Sequence, residues 1–455
     1  MITFSLAEIA KNLALSAPTQ DIIFTGVSKD TRTLAPGNLY VAIIGEQFDG
    51  HEFVAEAMKK GASAALVSRK LDLPIPQLVV NDTIEVLGQI GKFWRDRFRM
   101  PFIGVTGSNG KTTLKNMIAS ILTAACNNDT NQVLATEGNL NNNIGTPLML
   151  TRLNEKQHYA VIEMGMNHFD EIAYLTNMVR PQVAVVNNAA ESHLEGLKDV
   201  AGVARAKGEI FLGLAKDGTA ILNRDDAHFD YWKTLVSKHT VMTFGLDNPA
   251  DVSATISANQ HITVNTPEGK IEIALPLLGK HNIMNALAAT AATLACGISL
   301  TAIKKGLENM HPAHGRMELY TLANGMRVID DTYNANPFSL QAAVQTLATF
   351  SGTKIIVLGD MRELGDGAKE MHFNSGKKIL AAGINYLFTL GELTAETSKA
   401  FGNNAQHFTD RDKLVDALQP FLKNDVTLLI KGSRSMRMEK VLAKIIPENQ
   451  LENAH

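Results

Sequence analysis

The stretch GVTGSNGKTTLKN, residues 104–116, restricts the fold of this chain more tightly than any other part of it. The apolar run FIGVT predicts a buried strand over 102–106, and residues 114–125 predict a helix. Glycines between the two let the backbone approach a ligand closely. A helix N-terminus carries about half a positive elementary charge and unpaired N–H groups, so such a turn is ready to take an anion. Lys111 adds a mobile charge for outer phosphates, and the Thr112 hydroxyl is placed for Mg²⁺. Gly107, Ser108, Asn109, Gly110, Lys111, Thr112 and Thr113 are therefore the expected cradle of a nucleotide triphosphate. The strict pattern G-x-x-x-x-G-K-[ST] asks for glycine at 105, where Val105 stands; the glycines fall at 104, 107 and 110.

The rest of the chain repeats the strand–helix alternation. Apolar runs at 159–164, 183–188 and 219–222 lie between helical segments, which predicts a parallel sheet covered on both faces. Residues 241–278 read as a less regular β region, followed by the helix NIMNALAATAATLA. After His314 a second alternating unit begins, with strands at 326–331, 354–359, 385–390 and 426–432 and helices such as 339–350 and 411–418. It predicts a Rossmann-like domain, although no G-x-G-x-x-G follows its first strand. Ahead of both, strands at 39–44 and 63–68 flank a helix at 53–61, and 83–98 reads as a helix. The expected fold is α/β in three domains, in keeping with a length of 455. They are a mixed α/β N-terminal domain (1–83), a central P-loop parallel-sheet ATPase domain (84–313) and a C-terminal Rossmann-like domain (314–455).

Composition narrows the function classes. A net charge of −3 gives no basic field to draw nucleic acid or an anionic membrane. The opening MITFSLAEIAKNLALS lacks the basic and apolar regions of a signal peptide, and the Ala-rich stretch 286–298 is too short to span a bilayer. The two cysteines, Cys126 and Cys296, sit among small or apolar residues and lack metal-ligand spacing. A soluble, cytoplasmic chain is the expectation, with nothing that asks for an obligate oligomer.

Three side chains stand out beyond the glycine loop. Glu163 ends the strand-like AVIE, where a carboxylate beside a phosphate loop is placed to hold Mg²⁺. His193 follows the strand VAVV at the sheet edge where open α/β sheets bind ligands. Lys207 falls inside an apolar stripe. With residues 200–214 as a helix at about 100° per residue, Val200, Val203, Ile210, Phe211 and Leu214 share its face. A buried, unpaired ammonium costs several kcal/mol. It escapes by reaching to water, by a lowered pKa, by an anionic partner, or by modification of the neutral amine.

Together these pieces resemble the Mur ligase family, ATP-dependent amide-forming enzymes of peptidoglycan synthesis, over nearly the whole chain. TGSNGKTT is similar to the family's phosphate loop, and the resemblance implies ATP and Mg²⁺. It makes Glu163 and His193 magnesium ligands, with Thr112. ARAKGEIF resembles the segment whose lysine is carbamylated in relatives, which makes a carbamate of Lys207 and a ligand for a second Mg²⁺. GKHNIMNALAA carries over adenine contact to Asn282. AHGRMEL carries over an arginine near the phosphates, Arg316. DDTYNANP puts Asp331 near the ribose. SKDTR, with Ser28 and Arg32, resembles the UDP-sugar segment. EGNLNNNIGTP, with Asn142 and Asn143, resembles a substrate loop.

DDTYNANPFS and VLGDMRELG are similar to the family member that joins D-alanyl-D-alanine to UDP-N-acetylmuramoyl-tripeptide. The resemblance then implies phosphoryl transfer from ATP to the tripeptide carboxylate, attack by the amine on the acyl phosphate, and loss of phosphate. Lys111, Lys207, His193 and Arg316 are the implied catalytic groups, and domain closure with hinges near Thr83 and His314 is expected. The alternatives are the related ligase that adds the third peptide residue, a folylpolyglutamate synthase, and a nucleotide-dependent switch that ligates nothing.

Overall fold

The computed structural model describes residues 2–15, 20–257 and 261–446. Residues 447–455, the end of the third segment as read from sequence, lie outside the described residues.

The central sheet has six parallel strands in the spatial order Thr240–Phe244, Thr219–Asn223, Val183–Val186, Phe102–Thr106, Tyr159–Glu163 and Val133–Ala135. Successive side chains on a strand point to opposite faces. Phe102, Ala160, Ile162, Ala184 and Val186 enter one core, while Ile103, Val105, Val161, Val183 and Val185 enter the other. Helices Lys111–Ala125 and Lys280–Leu294 cover the second face. This is why the strands read as unbroken apolar runs. The irregular β region divides in two. Thr240–Phe244 joins the parallel sheet as its edge, and Ser253–Ile256, His261–Thr266 and Gly269–Ala274 form an antiparallel three-stranded sheet.

In the third domain Glu318–Thr321, Arg327–Asp331, Val426–Lys431, Thr353–Gly359, Tyr386–Leu390 and Ala405–Phe408 lie side by side. The first pair is antiparallel and the rest are parallel, with an apolar core on each face. The two edge strands, ELYT and AQHF, are short and half polar, so hydropathy alone does not mark them.

The N-terminal domain has four parallel strands, Val27–Ser28, Leu39–Val41, Ala64–Val67 and Gln77–Val79, and an antiparallel pair, Thr3–Ser5 with Ile23–Thr25. Helix Thr83–Arg95 joins it to the central sheet. Asp82 caps the helix, accepting from the N–H groups of Ile84 (2.7 Å) and Glu85 (3.0 Å). Its buried stripe of Val86, Leu87, Ile90 and Trp94 continues the core that holds Phe4 and Leu150. The Trp94 ring meets Phe4 edge-on at 5.0 Å, and its Nε1 donates to the Leu153 carbonyl at 2.9 Å.

Residues 200–214 do not form one α-helix. Val200–Gly208 is α-helical and Glu209–Gly213 is a 3₁₀ turn. The Thr176 hydroxyl takes the Ile210 carbonyl at 2.7 Å, and the Glu209 carboxylate turns away to accept from Asp170 N and Ala173 N. These bonds pull the last turn tight. Among the described residues no helix is long and apolar enough to cross a membrane.

Trp94 thus ties the first strand to the central domain by both packing and a hydrogen bond. Trp94→Ala should cost about 3–5 kcal/mol of stability, read as a lowered denaturation midpoint. A loss below about 1 kcal/mol would show that the N-terminal strand does not depend on this ring.

Candidate active site

Two ends of strands meet in a cleft of about 1610 Å³ between the central and third domains. Its floor begins with the glycine loop. Thr106 ends the strand and donates its hydroxyl to the Met164 carbonyl (2.9 Å). Gly110 then adopts φ +77°, and the helix starts at Lys111. A Cβ at Gly110 would lie 2.5 Å from Asn285 Oδ1 and 2.9 Å from Asn187 Nδ2, so the turn needs glycine for conformation and for space. Leu114 is the first residue to close an intrahelical bond, to Gly110 O at 2.8 Å; residues 111–113 line the cleft ahead of it.

The loop is held from the neighbouring strand end. Ser108 N donates to Asn188 O (3.0 Å), and Asn109 N to Asn188 Oδ1 (2.8 Å). The Asn109 carbonyl accepts from Asn187 Nδ2 (3.0 Å) and Asn188 Nδ2 (3.1 Å). Behind these runs a chain of buried amides. Asn187 Nδ2 also donates to Asn285 Oδ1 (2.8 Å), Asn285 Nδ2 to Asn282 Oδ1 (3.1 Å), and Asn282 Nδ2 to Leu278 O (2.8 Å). Each of the three side chains is at most 3% exposed, and each amide is oriented by the next. Asn282, expected at the nucleotide base, therefore connects to the phosphate loop through Asn285 and Asn187.

Glu163 ends its strand at 2% exposure. Thr112 Oγ1 donates to its Oε2 (3.0 Å), Asn141 Nδ2 to its Oε1 (2.8 Å), and its own N–H bonds Thr136 Oγ1 (2.9 Å). Arg316, just before the third domain's first strand, reaches over Tyr333 and donates to Thr112 Oγ1 at 3.2 Å. Lys111 Nζ turns back to Gly107 O (2.7 Å) and Ser108 O (3.3 Å). Burial lowers its pKa, and Glu163 opposes that shift. One carboxylate and one hydroxyl suit a Mg²⁺ that keeps waters and phosphate oxygens as its other ligands, as Mg²⁺ commonly does. Among the described residues no group of three or more His, Cys, Asp or Glu side chains could hold a metal by itself.

His193 Nδ1 meets Glu363 Oε2 of the third domain at 2.9 Å, and both residues have left-handed backbones, at φ +53° and +63°. Burial lowers the His193 pKa, and the bond to His193 lowers that of Glu363. Lys207 is 1% exposed and lies behind Met166, whose Sδ is 3.7 Å from its Nζ. Among the described residues it forms no ion pair. Burial first, and Lys111 second, push its pKa well below the usual lysine value. Of the ways out for such an ammonium, the geometry removes reach to water and an anionic side chain as partner. Asp331 pairs with Lys431 at 2.5 Å inside the cleft; burial raises its pKa and Lys431 opposes this.

The remaining expected residues divide. Asn142 and Asn143 line the cleft, with Asn142 Oδ1 accepting from Gly145 N at 2.8 Å to start helix Gly145–Leu150. Ser28 and Arg32 lie on the N-terminal domain outside the cleft lining, where Arg32 pairs with Asp30. Asn141, Asn187, Asn188, Asn285 and Glu363 were not singled out from sequence. Two signals were present: VAVVNN ends a parallel strand in two asparagines, and NIMNALAATAATLA puts Asn282 and Asn285 one turn apart in an otherwise apolar helix.

Known protein families match the chain over most of its length. The Mur ligase middle domain model matches residues 105–293, the Mur ligase glutamate ligase domain model 315–434, and the Mur ligase family catalytic domain model 23–92. UDP-N-acetylmuramoyl-tripeptide–D-alanyl-D-alanine ligase of Escherichia coli K12 is 42% identical over 456 residues, covering 99% of each chain. The crystal structure of MurF from Acinetobacter baumannii superposes with a TM-score of 0.90 at 34% identity, over 98% of this chain and 99% of that one. MurF ligase from Thermotoga maritima, solved in complex with ADP, does so at 0.83 and 25% identity, over 94% and 98%.

Gly110→Ala should weaken ADP binding about tenfold or more in a calorimetric titration, through left-handed strain of about 1–2 kcal/mol plus the clash with Asn285. Unchanged affinity would show that the turn is not needed. Lys207 gives a second expectation. Its folded pKa is depressed, so the unfolded chain binds more protons between that value and 10.5, and stability rises with pH across this window. Lys207→Met should therefore raise stability at pH 7 by on the order of 1 kcal/mol and flatten its pH dependence. A lower midpoint for Lys207→Met would contradict this.

Proposed function

The chain belongs to the Mur ligase family, and from that premise we propose that it joins D-alanyl-D-alanine to the tripeptide carboxylate of UDP-N-acetylmuramoyl-tripeptide. The product is the pentapeptide precursor of peptidoglycan. ATP supplies the driving force and leaves as ADP and phosphate. Support comes from curated relatives of this name that match end to end, at 42% and 41% identity. They do not favour the ligase that adds the third residue or a folylpolyglutamate synthase. The observation that carries the mechanism is the meeting of Lys111, Thr112, Glu163 and Arg316 at one mouth of the cleft.

A carboxylate is a poor acyl donor because oxide would have to leave. Its oxygen attacks the γ-phosphorus of ATP, and the bond to the β-phosphate oxygen breaks, giving acyl phosphate and ADP. The dipeptide amine then attacks the carbonyl carbon, loses a proton, and expels phosphate. Lys111 exchanges its carbonyl contacts for phosphate oxygens, and the Arg316 guanidinium adds charge from the third domain. Glu163 and Thr112 would hold a Mg²⁺, which would supply positive charge to offset that of the transferred phosphoryl group. The Lys207 amine, once deprotonated, would add to CO₂ and lose a proton. The resulting carbamate, with His193, would hold a second Mg²⁺ that would add positive charge beside the reacting groups. Asn282 meets the adenine and Asp331 the ribose. Ser28 and Arg32 take the UDP group, and Asn142 and Asn143 the peptide end. The enzyme works in the cytoplasm as a monomer. Its domains, 1–83, 84–313 and 314–455, close on hinges near Thr83 and His314.

ADP release, followed by a coupled assay, should require both UDP-N-acetylmuramoyl-tripeptide and D-alanyl-D-alanine. ADP formed without either would favour a nucleotide switch. Lys111→Ala and Lys207→Ala should each reduce turnover by about 10²–10³. A short carboxylate such as acetate should partly restore Lys207→Ala. Full activity of Lys207→Ala without addition would remove the carbamate from the account.

A further inference from the structure

The third domain touches the phosphate loop through one side chain that the mechanism does not use. Asn336 caps helix Pro337–Ala348: its Oδ1 accepts from Ser339 N at 2.8 Å. That bond fixes which end of the amide is oxygen. Its Nδ2 is then aimed across the domain boundary and donates to Asn109 Oδ1 at 2.9 Å. The same logic passes to Asn109. With Oδ1 facing a donor, a flipped amide would set NH₂ against NH₂. Its Nδ2 is therefore directed away from Asn336, and it is buried with no hydrogen-bond partner among the described residues. The backbone of Asn109 is already fixed on both sides by Asn187 and Asn188. Asn109 and Asn336 both line the cleft. A buried, unpaired amide in a phosphate loop is costly unless something arrives to accept from it.

We propose that Asn336 is a positioning residue that couples closure of the third domain to the phosphate loop, orienting Asn109 so that its Nδ2 donates to the polyphosphate of bound ATP. The inference rests on the reading that residues 107–113 hold that polyphosphate. When the third domain swings away, Asn109 loses its orienting donor and is free to present its oxygen to the phosphate instead. When the domain is docked, the loop gains one donor, and nucleotide affinity and closure rise together.

Two variants separate this role from helix capping. Asn336→Asp and Asn336→Ser keep a capping oxygen. Aspartate draws the Asn109 NH₂ toward itself and turns Oδ1 on the phosphate. Serine is too short to reach. Both variants should keep the thermal midpoint of the full chain within about 2 °C, since a capping group remains. In calorimetric titrations without peptide substrates, the Kd for ATP should rise about 3- to 10-fold in Asn336→Ser, as for one lost hydrogen bond, and further in Asn336→Asp. The Kd for AMP, which lacks the outer phosphates, should not move. In the Asn109→Ala background, Asn336→Ser should add nothing.

Unchanged ATP affinity in both variants, equal weakening of ATP and AMP, or additive losses in the double variant would each overturn the proposal. Lys111→Ala is the control for the reading beneath it. If that variant binds ATP as the wild type does, the loop is not the phosphate site and both readings fall. If it loses ATP while the Asn336 variants do not, only this inference falls.

Discussion

Paired hydrogen bonds from Asn187 and Asn188 to the Asn109 carbonyl hold the glycine loop in a shape that lets residues 110–113 line the cleft. The shape needs a left-handed residue at 110, and the space for it is bounded by the Asn285 and Asn187 amides. A carboxamide suits this task because it gives and accepts in one plane and carries no charge to compete with a phosphate. The arrangement is costly to leave half made, since each buried amide depends on its neighbour for a partner. It places a neutral scaffold behind a site whose charged groups, Lys111, Arg316 and the buried Glu163, line the cleft.

Lysine 207 obeys the opposite logic. It is buried without a counter-charge and depresses its own pKa, which weakens the fold at neutral pH. On the proposed reading, the lowered pKa of this amine favours the uncharged form that adds to CO₂, which an ordinary charged lysine does not do. On that reading, stability is given up at one position for a reactive nitrogen in the site.

Much of this was legible in the sequence because the signals were local or periodic. Phe102–Thr106, Val183–Val186 and Arg411–Leu418 were visible as runs, since a strand buried on both faces or an amphipathic helix writes its period into consecutive residues. The loop, Glu163 and the buried Lys207 followed in the same way, as did the resemblance to Mur ligases. What was hidden depends on contacts distant in sequence. Asn187 meets Asn285 across 98 residues and Asn336 meets Asn109 across 227, and nothing at either end marks the partner. The 3₁₀ turn at 209–213 was missed because Thr176, on another helix, imposes it. The edge strands Glu318–Thr321 and Ala405–Phe408 escaped because an edge need not be apolar.

The central claim is that the loop amides and Lys111 receive the phosphates of ATP. A crystal structure of the chain grown with ADP and Mg²⁺ tests it most directly. The account predicts β-phosphate oxygens at about 2.7–3.2 Å from the backbone nitrogens around 110–113 and from Lys111 Nζ, with Mg²⁺ close to Thr112 Oγ1. Diphosphate bound elsewhere, with Lys111 still folded on Gly107 and Ser108, would contradict it.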